Sequence, residues 1–215
     1  FFYAWGEPIY VFLMIGTILA NWFFGILVDS FRDKKTLVRL ILALMVLANI
    51  GTLGWFKYSA FTVLQINRFL HTSIPVPDVP LPIGISFYTF QAMSYVIDVY
   101  RQRGKVQKNP LQVGLYIALF PQLIAGPIVR YETIAEQIVY RVENLQDFTA
   151  GVTRFCIGLG KKVLVANNMA VIADNAFGLI INGEFQASAG MAWLGAIAYT
   201  LQIFFDFSGY SDMAI

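Results

Sequence analysis

The chain has 215 residues, 58% of them hydrophobic and 13% charged, against roughly 25% charged in a soluble domain, and its mean hydropathy is +0.63. A soluble globule of this composition would expose too much apolar surface, whereas a bundle of membrane helices would not, so an all-α polytopic integral membrane protein is predicted. The formal charge of +2 is too small for a nucleic-acid-binding surface, and one cysteine, Cys156, excludes an internal disulfide framework and a cysteine metal cluster.

The sequence opens on Phe1-Phe2-Tyr3 without a methionine and stops at Ile215 inside an apolar pattern, which reads as a single membrane domain over 1–215, truncated at both ends. Residues 9–28 are apolar for about the 20 residues that cross a ~30 Å hydrocarbon core. Arg32, Lys34, Lys35 and Arg39 follow, then a second apolar run over 40–56. Arg101, Arg103, Lys105 and Lys108 form the next basic cluster. Two spans separate the clusters, so the positive-inside rule puts both in the cytoplasm and 57–82 outside. Within that outer segment, 58–71 reads as an amphipathic helix in the membrane interface, and Pro75, Pro77, Pro80 and Pro82 force extended backbone before Pro82 enters the first turn of the next helix. His71, the only histidine, reads as an exposed side chain at a helix end, with no carboxylate, cysteine or second histidine nearby in sequence.

The helix over 80–101 carries a polar stripe, Phe87, Gln91, Ser94, Asp98 and Arg101, flanked by Tyr88 and Tyr95. Polar groups at membrane depth cost a few kcal/mol each unless they face protein or trapped water, so this seam is expected to line a cavity. Asp98 and Arg101, one turn apart, are in reach of an ion pair. Asn109-Pro110 reads as a helix start, and the apolar run 111–129 is interrupted by Pro121 and Gly126-Pro127, which predicts a re-entrant or kinked element ending at Arg130-Tyr131. Thr133 to Glu136 has the form of a capping box, with Ile134, Ile138, Val142 and Leu145 as the apolar stripe of a helix lying on the membrane surface.

Residues 151–181 are helical in pattern, but Arg154, Lys161, Lys162, Asn167, Asn168, Asp174 and Asn175 make them a poor lipid-facing span, expected to pack inside a bundle. Gly158-Leu159-Gly160-Lys161-Lys162 lacks the first glycine and the closing Ser/Thr of a phosphate loop. A turn at Asn182-Gly183 leads to a last span over 192–207, where Tyr199, Gln202, Asp206 and Tyr210 form a second polar face. Asp206, Ser208 and Asp212 suggest a calcium loop, but Ser211 stands where its glycine is required, so a structural polar network is expected and no metal.

Four motifs carry a resemblance: Gly84-Ile85-Ser86-Phe87-Tyr88-Thr89-Phe90-Gln91, Phe120-Pro121-Gln122-Leu123-Ile124-Ala125-Gly126-Pro127-Ile128, Gly160-Lys161-Lys162-Val163 and Phe205-Asp206-Phe207-Ser208-Gly209-Tyr210-Ser211-Asp212. Over essentially the whole chain they resemble the membrane-bound O-acyltransferase family, its bacterial alginate O-acetyltransferase branch more than its teichoic acid D-alanyl transferases. The resemblance implies a multi-pass protein of the bacterial inner membrane, a ring of helices around a thin centre where an acyl group, acetyl in this branch, passes to a hydroxyl of an exported polysaccharide. It implies no bound cofactor, an acyl thioester or acyl carrier as donor, and accessory periplasmic or secreted acetylation proteins as partners beside the bilayer. The family's catalytic histidine is expected beyond Ile215, so no catalytic residue is assigned and the fragment alone is expected to be inactive. Tyr88, Gln91, Ser94, Tyr95, Asp98, Arg130, Gln202, Asp206 and Tyr210 are the cavity-lining, substrate-binding candidates. D-alanyl or peptidoglycan acyl transfer is the alternative within the family. A secondary transporter or flippase is the alternative outside it, since polar seams and a broken helix also describe one; no internal repeat is visible.

Overall fold

A computed structural model describes residues 2–119, 129–140, 142–181 and 188–214. Their regular structure is all helical: α1 (Phe2–Gly6), α2 (Tyr10–Ser30), α3 (Lys35–Leu70), α4 (Ile85–Tyr100), α5 (Pro110–Ala118), α6 (Tyr131–Val139), α7 (Leu145–Gly160), a π-helical turn (Lys161–Ala166), α8 (Asn167–Ile181) and α9 (Ala189–Ala214). Four stretches, Tyr10–Ser30, Lys35–Leu70, Leu145–Gly178 and Ala189–Ala214, are long and apolar enough to cross a membrane. The chain divides into two compact units, Phe1–Arg141 and Val142–Ile215.

In the first unit, α2 buries Met14, Ile18, Asn21, Gly25 and Val28, one face at helical spacing. α3 answers with Val38, Ile41, Met45, Asn49 and Leu53. In the middle of this apolar contact, Asn21 and Asn49 exchange hydrogen bonds, each Nδ2 donating to the other's Oδ1 at 2.9 and 3.0 Å. The second amide hydrogen of each goes to its own helix, at Thr17 O and Met45 O. The pair is thus satisfied without water and joins two apolar helices with a directional contact.

α3 corrects the sequence reading. The separate span 40–56 and interfacial helix 58–71 are one helix of 36 residues, ~54 Å long at 1.5 Å per residue. No proline separates the two runs, and one glycine such as Gly54 costs only ~1 kcal/mol against alanine, too little to break a long helix. The stop comes at His71, left-handed at φ 52° and exposed, as expected of a residue at a helix end. Asn67 closes the turn through the backbone N–H and C=O of Ile74.

α4 is the centre of this unit, packed by α2, α3, α5 and α6, with Tyr88, Gln91, Tyr95 and Asp98 among its buried residues. It begins later than Pro82 because Gly84 is left-handed at φ 73°, a backbone that a side chain would strain. α5 starts as read, with Asn109 Oδ1 accepting the Leu111 N–H at 2.9 Å and Pro110 at the first helical position. The expected re-entrant break at Pro121 and Gly126-Pro127 lies outside the described residues, as does the turn at Asn182-Gly183.

The second unit is a helical hairpin. Asn144 caps α7 by accepting the Asp147 N–H at 2.7 Å, so the helix opens at Leu145, six residues before the pattern suggested. α7, the π turn and α8 all pack on α9. The last helix extends well past 207, to Ala214. Of the stretch 151–181, expected to pack inside a bundle, this unit by itself buries Gly158, Ala166, Ala173 and Ala176 among the described residues.

Candidate functional site

The polar seam of α4 is a connected core. Gln91 Nε2 donates to the Tyr116 carbonyl at 2.8 Å. Tyr116 Oη donates to Val129 O at 2.9 Å and lies 3.1 Å from Ser94 Oγ, whose hydroxyl also reaches Gln91 O at 2.8 Å. Gln107, 7% exposed, ties the loop after α4 to three partners: its backbone N–H donates to Tyr95 Oη at 3.1 Å, its carbonyl accepts from Trp22 Nε1 at 3.1 Å, and its Nε2 donates to Tyr131 Oη at 2.7 Å. Tyr131 Oη in turn donates to Lys105 O at 2.8 Å. Burial pushes the Tyr131 phenol above its ordinary range, which keeps it protonated for that donation. The rings of Tyr95 and Tyr116 meet Tyr131 edge-on at 4.9 and 5.4 Å, an arrangement favoured by the ring quadrupole.

Of the sequence candidates, this unit brings together Gln91, Ser94, Tyr95 and Asp98 on one protein-filled face. Tyr88 is buried further along α4, edge-on to Tyr3 at 6.2 Å. Arg130 is apart from them, exposed and 3.4 Å from Glu132. Asp98 is 6% exposed and makes no ion pair with Arg101 among the described residues; Arg101 lies at the surface. The Asp98 carboxylate instead lies near the Glu132 backbone N–H in the first turn of α6, and among the described residues its Oδ2 is buried without a hydrogen-bond partner.

That arrangement corrects the capping box. α6 starts at Tyr131, its N-cap position is Arg130 with no side-chain cap, and Thr133 lies within the first turn. A carboxylate from another helix stands where a local cap would, favoured by the partial positive charge of the helix N-terminus. Ile134 and Ile138 pack on the protein core of this unit, where the sequence reading laid the stripe on the membrane surface, and Val142 and Leu145 lie beyond the helix and are exposed.

Beside this core opens a groove of about 1220 Å³, lined by Asp29 and Arg32 at the end of α2, by the loop from Gln102 to Gln107, and by Glu132, Glu136 and Tyr140 among others. Arg32 bridges the two basic clusters, donating to Asp29 Oδ1 at 2.8 Å and to Val99 O at 3.1 Å. Both clusters therefore occupy one end of the unit. The groove lining carries charges of both signs, Asp29, Glu132 and Glu136 beside Arg32, Arg103 and Lys105.

In the second unit, Gly158 and Gly209 let α7 and α9 touch backbone to backbone: a Cβ on Gly158 would stand 2.6 Å from Gly209 O, and one on Gly209 would stand 2.7 Å from Gly158 O. The contact brings cations onto carboxylates. Arg154 Nε lies 3.2 Å from Asp212 Oδ1, and Lys161 Nζ lies 2.5 Å from Asp212 Oδ2 and 3.2 Å from Ser208 Oγ. Lys162 pairs with Asp206. Asp206, Ser208 and Asp212 are thus helical and engaged by cations, the polar network expected for them. Gln202 is half-buried, its Oε1 enclosed and without a hydrogen-bond partner among the described residues, and Tyr210 is half-buried on the same helix.

Sequence reasoning missed Asn21, Asn49, Gln107, Tyr116 and Tyr131. The two asparagines carried a usable signal, lone amides inside apolar runs; the others sit in stretches whose patterns are unremarkable.

The sequence profile described as MBOAT, membrane-bound O-acyltransferase family, matches residues 102–215. A protein of Pseudomonas syringae pv. tomato named "Probable alginate O-acetylase AlgI" is 41% identical over 218 residues, covering all of this chain and 41% of that protein. The one of the same name from Pseudomonas aeruginosa is 39% identical, with the same coverage. The "Peptidoglycan O-acetyltransferase" of Helicobacter pylori is 33% identical over 242 residues, covering all of this chain and 45% of that protein. The chain thus spans about two fifths of the length of these relatives. With over half its residues matched by the profile, and with the glycine-packed ionic hairpin inside the matched region, the chain belongs to the membrane-bound O-acyltransferase family.

Proposed function

We propose that the protein to which this chain belongs is a multi-pass O-acetyltransferase of the bacterial cytoplasmic membrane that acetylates hydroxyls of an exported polysaccharide such as alginate. The observation that carries this reading is the likeness, 39–41% over the full chain, to relatives named for alginate O-acetylation. In the reaction a base removes the acceptor hydroxyl proton, the oxygen attacks the donor carbonyl, the carbon–sulfur bond of an acyl thioester breaks, and the thiolate takes up a proton. The base is the family histidine expected beyond Ile215. In this chain the α4 core, with Gln91, Ser94, Tyr95 and Asp98, serves as the frame, while the partly exposed Arg130, Asp206 and Tyr210 remain the candidates for meeting substrate. No resident cofactor is required; exported accessory proteins take part on the acceptor side.

The test is genetic and chemical. Deletion of the full-length gene in its host should remove base-labile acetate ester from the exported polysaccharide, and complementation should restore it. Unchanged ester content after deletion would refute the reading. Peptidoglycan is the second acceptor, favoured by the Helicobacter pylori relative; loss of acetate from the cell wall and not from the exported polymer would select it.

A further inference from the structure

We infer that the ionic cluster of the α7–α9 hairpin is an oxyanion-binding site, in which Arg154, Lys161 and Lys162 hold a carboxylate or phosphate group of a substrate. Its two helices are ones long and apolar enough to cross a membrane, and Asp206 and Asp212 lie in the last third of α9, ~12 Å and ~3 Å from its end at Ala214 at 1.5 Å per residue. Ionisable groups toward the end of such a helix face protein, a water-filled cavity or the membrane edge. These are not sealed by the hairpin: the side chains of Arg154, Lys162 and Asp206 are 49%, 43% and 53% exposed.

The charges do not cancel. Three cations meet two carboxylates, Asp206 and Asp212, so the cluster of described residues keeps one surplus positive charge. Arg154 and Lys161 share Asp212, so either could turn to a third anion at small cost. The backbone is specialised to the same end. The π turn places two successive lysines, 161 and 162, against α9 together, and such turns recur at functional sites. The Gly158–Gly209 contact fixes the spacing of the two walls. The ligand class is therefore an oxyanion. It has two sources: the uronate carboxylates of the acceptor, which rest on the polysaccharide reading above, and the phosphates of a donor, which do not.

The experiment uses the full-length protein in lipid nanodiscs, titrated with an alginate oligomer, with inorganic pyrophosphate and with a neutral glucose oligomer. Arg154→Gln removes the surplus charge and leaves both lysine–aspartate pairs; it should weaken oxyanion binding about fivefold, the worth of one unit charge near 4 Å in water. Arg154→Lys should restore it. Asp212→Asn raises the surplus and should tighten binding by a similar factor, and neither change should alter the neutral oligomer. Opposite signs with the alginate oligomer assign the site to the acceptor. Opposite signs with pyrophosphate alone assign it to a phosphate-bearing donor. Equal affinities in all variants, or weakening by both changes as loss of a mere structural clasp would give, overturn the inference. Opposite signs without any acetyl transfer would keep the site and reject the acetyltransferase reading.

Discussion

At the scale of single residues, Asp98 shows how a side chain legible in sequence acquires a role that is not. Its place on the Gln91–Ser94 stripe marked it for burial, and it is buried, yet its nearest sequence partner, Arg101, is not its structural one. Replacing Asp98 by alanine removes the charge that faces the start of α6 and empties a packed position, so a loss of ~1–2 kcal/mol is expected. Arg101→Ala should stay within ~0.5 kcal/mol of wild type, as surface substitutions do. Unfolding of the full-length protein in mixed micelles measures both; equal losses would restore the ion pair. The Asn21–Asn49 pair makes a second case. Either asparagine replaced by leucine orphans the other amide, at ~0.6–2 kcal/mol. Replacing both should cost less than the sum of the singles, because no polar group is then left buried alone. Strict additivity in that double-mutant cycle would show that the exchanged hydrogen bonds contribute nothing.

Among elements, the helices that hold apolar periodicity were readable, and their ends were not. α2 and α5 begin close to where length and Asn109-Pro110 place them, because spans and caps are local signals. α3 ran on, since a change from apolar to amphipathic pattern is not a stop signal. α6 began two residues ahead of its supposed capping box, since its N-terminal charge partner comes from α4. The π turn at Lys161–Ala166 left no signature that the sequence reading could use, as it is fixed by contact with α9. That contact gives the prediction for this scale. Gly158→Ala puts a Cβ 2.6 Å from the Gly209 carbonyl oxygen, backbone that cannot swing aside, and should cost ~1–3 kcal/mol. Gly160→Ala, with nothing within 4 Å of the added carbon, should be neutral or slightly stabilising. Equal tolerance of the two would mean that α7 and α9 do not cross at Gly158.

For the whole molecule, composition and the order of the motifs lead to the membrane-bound O-acyltransferase family, whereas the tyrosines and Gln107 that hold the first unit together became visible only when α4, α5, α6 and the intervening loop met. Arg32 and its bond to Val99 O bring the two basic clusters to one end of that unit, which the positive-inside rule assigns to the cytoplasm. In a background where Cys156 is replaced by serine, cysteines at 34 and 105 should resist a membrane-impermeant thiol reagent applied from outside, and a cysteine at 78 should react. Labelling at 34 or 105 but not at 78 would invert the topology. The proposed reaction is transfer of an acyl group to oxygen. Its most direct test supplies an isotope-labelled acetyl thioester and alginate to host membranes that contain or lack the full-length protein, and measures label in ester linkage to the sugar hydroxyls. Label in the ester only where the protein is present is the expected result; label carried across the membrane unchanged, with no ester formed, would contradict it and favour a transporter.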